Sequence, residues 1–525
     1  MTEYPHYDVA VIGYGPTGVT AANLLGADGL SVAVIERDAD IYARARAIST
    51  DEEVVRIWQH AGLAERLKQD MLAERPLDFV DRNGRPFISA SFTPRGHGHP
   101  PQMFLYQPAL ERVLREGVQR YPNVELRLEH ECVRVFPRGD RVELMVVDLR
   151  TEEIKRITAS YVIAADGGSS PTRGQLGVGF DGRTYEDHWV VVDTKMLQPW
   201  PGHDRLRFHC APDRPAVDCP TPLDHHRWEF PVLPGEDEEQ LVTEDAVWRL
   251  LNRQGISAEQ VEILRAVVYS HHVRFASRWR IGRVFLAGDA AHVMPPWIGQ
   301  GMASGVRDAH NLCWKLSGVL RGVLPESVLD TYETERQPHV RATTRRAVLV
   351  GRIITERRPA VTKVRDVIFR AAEAAPAVRQ RMHDSLWVPD CRYRKGFLAD
   401  DGRSATGWKI PQPEILDENG EKLLLDEVTG GRWTLLHRGP APALPGWVGL
   451  AALRVLPAGS PARPGAVIDS SGLLGGWLAE KRATALVLRP DSVVYAATAP
   501  GRPLPAPPRG LRLDADRPAP EVAAS

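Results

Sequence analysis

The sequence predicts an α/β protein built on an open, mostly parallel sheet, and three observations predict it. Residues 7–12, Tyr7-Asp8-Val9-Ala10-Val11-Ile12, form a short apolar run that leads straight into Gly13-Tyr14-Gly15-Pro16-Thr17-Gly18, after which 16–27 reads as a helix. A second run, Tyr161-Val162-Ile163-Ala164-Ala165, ends at Asp166-Gly167. A third, Val284-Phe285-Leu286-Ala287, ends at Gly288-Asp289. Open parallel sheets bind ligands in the crevice outside the carboxyl ends of their strands, where all three motifs stand.

The first segment has the strand–turn–helix context that a G-x-G-x-x-G match requires. Gly13 permits the tight turn, Gly15 lets the backbone approach a pyrophosphate, and Gly18 lets the helix pack close to the strand. The helix N-terminus offers free N–H groups and partial positive charge to phosphates. The next strand, Ser31-Val32-Ala33-Val34-Ile35, ends at Glu36, 18 positions beyond Gly18. An acid there suits a ribose hydroxyl and disfavours a 2′-phosphate. By itself this segment fits NAD and FAD equally.

The later segments separate the two. The carboxylates of Asp166 and Asp289 are placed to accept bonds from ribitol hydroxyls. After Asp289 come His292-Val293-Met294, a stiff Pro295-Pro296 segment, the turn Gly299-Gln300-Gly301-Met302, and a helical pattern over 306–320. The N-terminus of that helix would face a flavin pyrimidine ring, its dipole stabilising negative charge there by about 0.3–1 kcal/mol. Singly, Asp-Gly and Gly-Asp are ordinary turn dipeptides. In this order and context the three segments point to bound FAD and a redox enzyme.

Here the chain resembles the class A flavoprotein monooxygenases, the single-component aromatic hydroxylases, and among them the 3-(3-hydroxyphenyl)propionate hydroxylases. Beyond the glycines, the likeness rests on Arg46-Ala47-Ile48, Gln107-Pro108, Trp189-Val190-Val191-Val192-Asp193, Pro234-Gly235-Glu236, Arg307-Asp308-Ala309 with Asn311-Leu312, and Arg489-Pro490-Asp491. The resemblance implies FAD contacts from Arg46 and Gln107, with Arg37 beside Glu36 on the adenosine side. It also implies transient NADH, since no second G-x-G-x-x-G follows a strand. It implies reaction of the reduced flavin with O2 to a C4a-hydroperoxide. The substrate would be a small phenolic acid, 3-(3-hydroxyphenyl)propionate or 3-hydroxycinnamate, hydroxylated at position 2 to the catechol. One position departs from the family: Ala303 stands where Gly-Gln-Gly-x-Asn would place an asparagine amide.

A phenol attacks more readily once its proton is removed, so a base is expected. Pro295 and Pro296 are expected to shape the pocket, their fixed carbonyls orienting substrate, or merely to stiffen the turn. His292, the pairs His225/His226 and His271/His272, and the carboxylate anchors Arg214 and Arg227 are candidates among which the sequence does not choose.

The 525 residues exceed one ordinary core, and the net charge of −1 gives no basic surface for nucleic acid or anionic membrane. No apolar run reaches the ~18 residues of a membrane span. The first strand begins at about Tyr7, leaving no room for a signal peptide. Five scattered cysteines without C-x-x-C argue for reduced thiols, no metal and a cytoplasmic location. The expected organisation is a discontinuous FAD-binding, Rossmann-like domain of the glutathione-reductase type (1–76, 101–184, 275–341). A β-sheet substrate domain (77–100, 185–274) is inserted in it. A helical linker (342–401), a thioredoxin-like unit without redox cysteines (402–498) and a disordered Pro/Ala-rich tail (499–525) follow. The C-terminal unit is expected to be structural or to dimerise the chain.

Three rivals stand beside this reading. They are a flavin hydroxylase of another phenol, polyketide or antibiotic; a flavin-binding protein without catalysis, which Ala303 alone supports; and a plain NAD dehydrogenase. A flavin halogenase is disfavoured because W-x-W-x-I-P is absent.

Overall fold

The computed structural model describes residues 4–41, 46–386, 391–499 and 501–513. Its first sheet places the strands in the order Arg280–Ile281, Val284–Leu286, Ile154–Ala164, His6–Ile12, Val32–Ile35, Val124–Arg127, with Val142–Asp148 and His130–Pro137 added antiparallel. The five strands from Val284–Leu286 to Val124–Arg127 run parallel. Val284–Leu286, Val32–Ile35 and the carboxyl-terminal halves of Ile154–Ala164 and His6–Ile12 are apolar and buried, as strands covered on both faces are. Thus the three motif-bearing strands, far apart in sequence, are immediate neighbours. Their ends are stitched together by Gly13 N–H to Ile35 O (2.8 Å), Ala165 N–H to Ile12 O (2.8 Å) and Ala287 N–H to Ala164 O (3.0 Å).

Helix Pro16–Ala27 begins with proline at its first position, where no intrahelical donor is lost. It packs on the 20-residue helix Gly301–Leu320. The approach is close: a Cβ on Gly305 or Gly288 would lie 2.2 or 2.5 Å from Thr17 Oγ1.

A second, eight-stranded sheet lies over this unit, in the order His292–Val293, Val261–Ala276, Phe180–Met196, His225–Pro231, Ala216–Thr221, Leu206–His209, Leu77–Val80, Pro86–Ala90. Residues 77–90 therefore share the sheet of the large insertion. The boundaries differ from a clean insertion, however. Phe180–Met196 and Val261–Ala276 pair from Phe180↔Ala276 onward, and Val293 pairs with Arg274, so the segment after Gly288-Asp289 is itself the sheet's edge. The expected break at 341/342 also falls inside one helix, Thr331–Thr355. That helix is continuous because its buried face serves two cores at once, Val340 in the first and Ala347, Val350 and Ile354 in the second.

The C-terminal unit is a seven-stranded sheet in which the central strand, Ala451–Pro457, is parallel to Thr434–His437, and Thr434–His437 is antiparallel to Ala485–Leu488. Its Trp433, Trp447 and Tyr495 continue the core of the first unit through Trp314 and Phe397. Residues 501–513 are not a free tail. Leu504 is buried, Trp447 Nε1 donates to Pro505 O at 2.8 Å, and Arg512 N–H donates to Val323 O at 2.9 Å. The apolar Leu504, Leu511 and Leu513 among the prolines explain the docking. Residues 514–525 lie outside those described. All five cysteines are unpaired, and no described helix is long and apolar enough to cross a membrane.

Candidate active site

The glycines of the first turn carry three different constraints. Gly13 has φ +96°, and a Cβ there would lie 2.4 Å from Ala165 O. On Gly18 a Cβ would meet Gly13 O at 2.0 Å. A Cβ on Gly15 meets nothing within 4 Å, because it points into an open cleft.

That cleft has two lobes which share Gly15, Pro16, Arg46, Gln107, Ala165 and Gly167. The first, about 240 Å³, includes Gly13, Glu36, Arg37 and Asp166 in its wall. Glu36 is held at its strand end by the N–H groups of Tyr14 (2.7 Å) and Asp38 (2.9 Å). Arg37 is largely exposed and lies 3.8 Å from Asp38. Asp166, expected as a ribitol ligand, lines the cleft at its first lobe. Its carboxylate is occupied by Ser170 Oγ (2.5 Å) and the Thr172 N–H (3.0 Å), a bracket for the short helix Pro171–Gln175.

The second lobe, about 330 Å³, runs from the shared residues to Asp289 and the 296–302 turn. Asp289 is half-buried, with no hydrogen-bond partner among the described residues, and burial raises its pKa. An acceptor without a donor, aimed into a cleft, suits a polyol. Gly299, with φ +63°, ends the turn begun by Pro296, and Gly299 through Met302 form the wall at the N-terminus of helix Gly301–Leu320. The orphan N–H groups of that first helical turn are available there. The side chain of Gln300 turns away from the cleft, donating to Asp51 Oδ2 (3.0 Å) and accepting from Arg307 (3.0 Å). Gln107 likewise acts on the protein. Its Oε1 accepts from the N–H groups of Arg46 (2.8 Å) and Ala47 (2.7 Å), pinning that loop at the junction of the lobes. Ala303 is fully buried in the core.

Pro296, Trp297 and Ile298 line the second lobe; Pro295 is buried one residue behind and is not part of the wall. Around the lobe lie Leu206, Phe208 and Val217 from the second sheet, Phe92 just past its edge strand, and Phe104 from strand Gln102–Leu105 of a separate three-stranded sheet, giving an aromatic and aliphatic roof. Gly288 and Gly18 serve packing and do not reach the cavity.

The base and anchor candidates point elsewhere. His292 Nε2 donates to Asp308 Oδ2 at 2.6 Å, buried against Trp279. His225 stacks on Tyr106, with ring centroids 4.4 Å apart. His226 is bound to Asp218 (3.0 Å). His271 packs between Trp189 and Trp297, and burial lowers its pKa to about 4. His272 is not at the cavity either. Arg214 is tied to Pro231 O and Glu236, and Arg227 to Asp193 (2.7 Å) and Arg46 O (2.9 Å). One acid that sequence reasoning passed over does face in: Glu229. The signal was present in Arg227-Trp228-Glu229-Phe230, where strand alternation sends Trp228 and Phe230 to one face and Glu229 to the other.

Comparison with known proteins decides what kind of site this is. The FAD binding domain family matches residues 6–347, and the HcaD C-terminal domain family matches 407–505. A 3-(3-hydroxy-phenyl)propionate/3-hydroxycinnamic acid hydroxylase of Burkholderia cenocepacia (strain HI2424) is 37% identical over 425 residues, 80% of this chain and 77% of that protein. The chain belongs to the FAD-dependent aromatic hydroxylases. A hydroxylase of the same description from Escherichia coli (strain SMS-3-5 / SECEC) is 34% identical over 94% of this chain and 92% of its own length. Among solved structures, OxyS anhydrotetracycline hydroxylase from Streptomyces rimosus matches with TM-score 0.73 at 26% identity, covering 94% of this chain and 96% of that one. The flavin-dependent monooxygenase PieE, in complex with FAD and substrate, shares the fold with TM-score 0.79 at 24% identity, over 94% and 96%. This flavoprotein monooxygenase uses FAD, with NADH and O2 as the co-substrates typical of its class.

The residues present fit FAD. The cleft is long and two-lobed, Gly15 leaves room where a Cβ would intrude, Glu36 stands ready at one end, and the unpartnered Asp289 and a helix N-terminus stand at the other.

Proposed function

We propose that this enzyme hydroxylates a small phenolic acid of the 3-(3-hydroxyphenyl)propionate or 3-hydroxycinnamate type to its 2,3-dihydroxy catechol. The observation that supports this most is the second lobe. It continues without a break from the dinucleotide cleft into a roof of Phe92, Phe104, Leu206, Phe208 and Val217, so that an aromatic ring would lie directly against the isoalloxazine end. Relatives covering most of the chain are named for that substrate pair.

In this reading Gly13, Gly15 and the start of helix Pro16–Ala27 receive the pyrophosphate. Glu36, with Arg37 beside it, takes the adenosine ribose; Arg46 and Gln107 bracket the middle of the cofactor; and Asp289 takes a ribityl hydroxyl. Asp166 braces the wall through Ser170 and Thr172. The backbone of Gly299, Gln300, Gly301 and Met302 meets the pyrimidine edge, where the helix dipole favours negative charge. Bound FAD supplies the oxygen-activating chemistry. The chain orients the ring between Pro296–Ile298 and the roof, excludes water with aromatic side chains, and presents an acid to the phenol. The first sheet with helices Pro16–Ala27 and Gly301–Leu320 forms the FAD domain, and the second sheet forms the substrate domain. The C-terminal sheet resembles a thioredoxin-like unit in its mixed parallel and antiparallel centre, with loop 438–450 replacing a helix between the two central strands.

The test is NADH oxidation by the purified holoenzyme with and without 3-(3-hydroxyphenyl)propionate, with catechol and H2O2 assayed together. Stimulation with catechol matching NADH is expected. Stimulation yielding mostly H2O2 would mean that the phenol triggers reduction without being the true substrate, and no stimulation would move the reading to a larger phenolic scaffold.

A further inference from the structure

We propose that Glu229 is a catalytic residue of this enzyme, the group that accepts the proton of the substrate's phenolic hydroxyl. This inference rests on the functional reading above and gives the pocket its base. Glu229 lies on strand His225–Pro231, in register with Val217 on one side and Val191 on the other. Phe208 is paired in turn with Val217. Phe208, Val217 and Glu229 thus form a row across one face of the roof, and all three line the cavity. A carboxylate set in an apolar row is costly unless it has a partner. Glu229 has no hydrogen-bond partner among the described residues, and it is the one carboxylate that the second sheet contributes to this cavity.

The charged groups facing it are few. Arg227, two positions earlier on the same face, and Asp193, paired opposite Arg227, are its electrostatic neighbours. Arg227 is already bound to Asp193 and Arg46 O, and Arg265 to Asp193. Cys219, opposite Arg227, is a buried thiol held neutral. The other walls of the cavity add the charged Arg46 and Asp289 and the amides of Gln102, Gln107 and Gln300 among aromatic and aliphatic side chains. Burial raises its pKa above the ordinary glutamate value, with Arg227 opposing and Asp193 assisting. Such a carboxylate is a stronger base than an exposed one and still ionises below the phenol. The step is a single proton transfer. The phenolic O–H bond breaks as an O–H bond forms on the Glu229 carboxylate, and the electron pair left on oxygen is delivered into the ring, raising the nucleophilicity of the ortho carbon.

The test compares wild-type, Glu229→Gln and Glu229→Asp holoenzymes, each first checked for FAD content. Two readouts are followed: kcat and KM against pH for catechol formation, and ionisation of bound 3-(3-hydroxyphenyl)propionate from the ultraviolet difference spectrum of its phenolate. In Glu229→Gln, kcat is expected to fall roughly 10²–10⁴-fold, the range for removing a general base. KM should move far less, and the acidic limb of the kcat profile should disappear. The bound phenol should ionise at lower pH, since a nearby carboxylate no longer opposes its negative charge. Glu229→Asp should recover part of kcat and keep the acidic limb; it decides the matter if Glu229→Gln fails to hold FAD. Near-wild-type kcat with unchanged phenol ionisation, or a rise in KM alone, would overturn the proposal. Wild-type enzyme that makes no catechol from phenolic acids would overturn the functional reading instead.

Discussion

Arg489 and Glu335 stand 154 positions apart and form a fully buried, two-pronged ion pair, Nη1 to Oε1 at 2.8 Å and Nη2 to Oε2 at 3.0 Å. Glu335 also accepts from Lys315 Nζ (2.9 Å), Asn311 Nδ2 (2.6 Å) and the Phe397 N–H (2.8 Å). Asp491 closes the network from the C-terminal side. The pair ties the turn after strand Ala485–Leu488 to helix Thr331–Thr355, and Asn311 and Lys315 link Glu335 in turn to helix Gly301–Leu320, whose N-terminus faces the cleft.

Arg489→Met would leave Glu335 and Asp491 buried without their main cation. Removing one partner of a buried pair typically costs about 3–5 kcal/mol. The expected result is a clearly lower Tm, with flavin release tracking the transition, read by differential scanning calorimetry and flavin fluorescence on one sample.

The two glycines flanking Pro16-Thr17 should separate binding from folding. Gly15→Ala adds a methyl into open cleft, so stability should change little. FAD affinity should weaken about tenfold or more, equivalent to roughly 1.4 kcal/mol. Gly18→Ala drives a methyl toward Gly13 O, and overpacking of this kind costs about 1–3 kcal/mol. Flavin-quenching titrations and thermal melts of both variants check this; equal effects on affinity and stability would contradict it.

His271 supplies a pH dependence with a defined sign. Its pKa, near 4 in the fold against an ordinary 6.5, means that the unfolded chain binds a proton that the fold refuses between those values. Stability from this group is therefore full above pH 6.5 and falls as the pH drops toward 4. The loss should reach about 2 kcal/mol by pH 5. Because His271 packs on Trp297 at 5.2 Å, tryptophan fluorescence should report it, and His271→Phe should flatten the profile between pH 6.5 and 4.

Ala303→Asn would restore the family's amide at the cost of inserting it into a fully buried position. We expect a loss of about 1–3 kcal/mol by overpacking. No gain in flavin retention should offset it, as measured by Tm and by FAD bound per chain after gel filtration.

Much of the site was legible in the chain itself. Gly13, Gly15 and Gly18 announce their geometry because the backbone and the strand–helix context admit few alternatives, and the places of Glu36 and Asp289 in the cleft wall follow from their strand ends. A strand-end carboxylate is as well suited to capping a following helix as to binding a ligand, and Asp166 brackets one through Ser170 and Thr172 while lining the first lobe. Pro295 and Pro296 could not be told apart until the turn was folded. Residues 501–513 read as a free tail because composition weighs prolines more visibly than three spaced leucines.

Local signals in the sequence, the glycine turns, the short apolar strands and the acids at their ends, by themselves determined an α/β flavoprotein with an FAD cleft. Those signals are enforced within a few residues, by backbone sterics and strand alternation. Which side chains share the substrate cavity was decided only by the tertiary structure, through sheet register. Pairing Phe208 with Val217 and Val217 with Glu229 brings together residues whose neighbours in sequence say nothing about one another, while His225, His226 and His292 are taken up by Tyr106, Asp218 and Asp308.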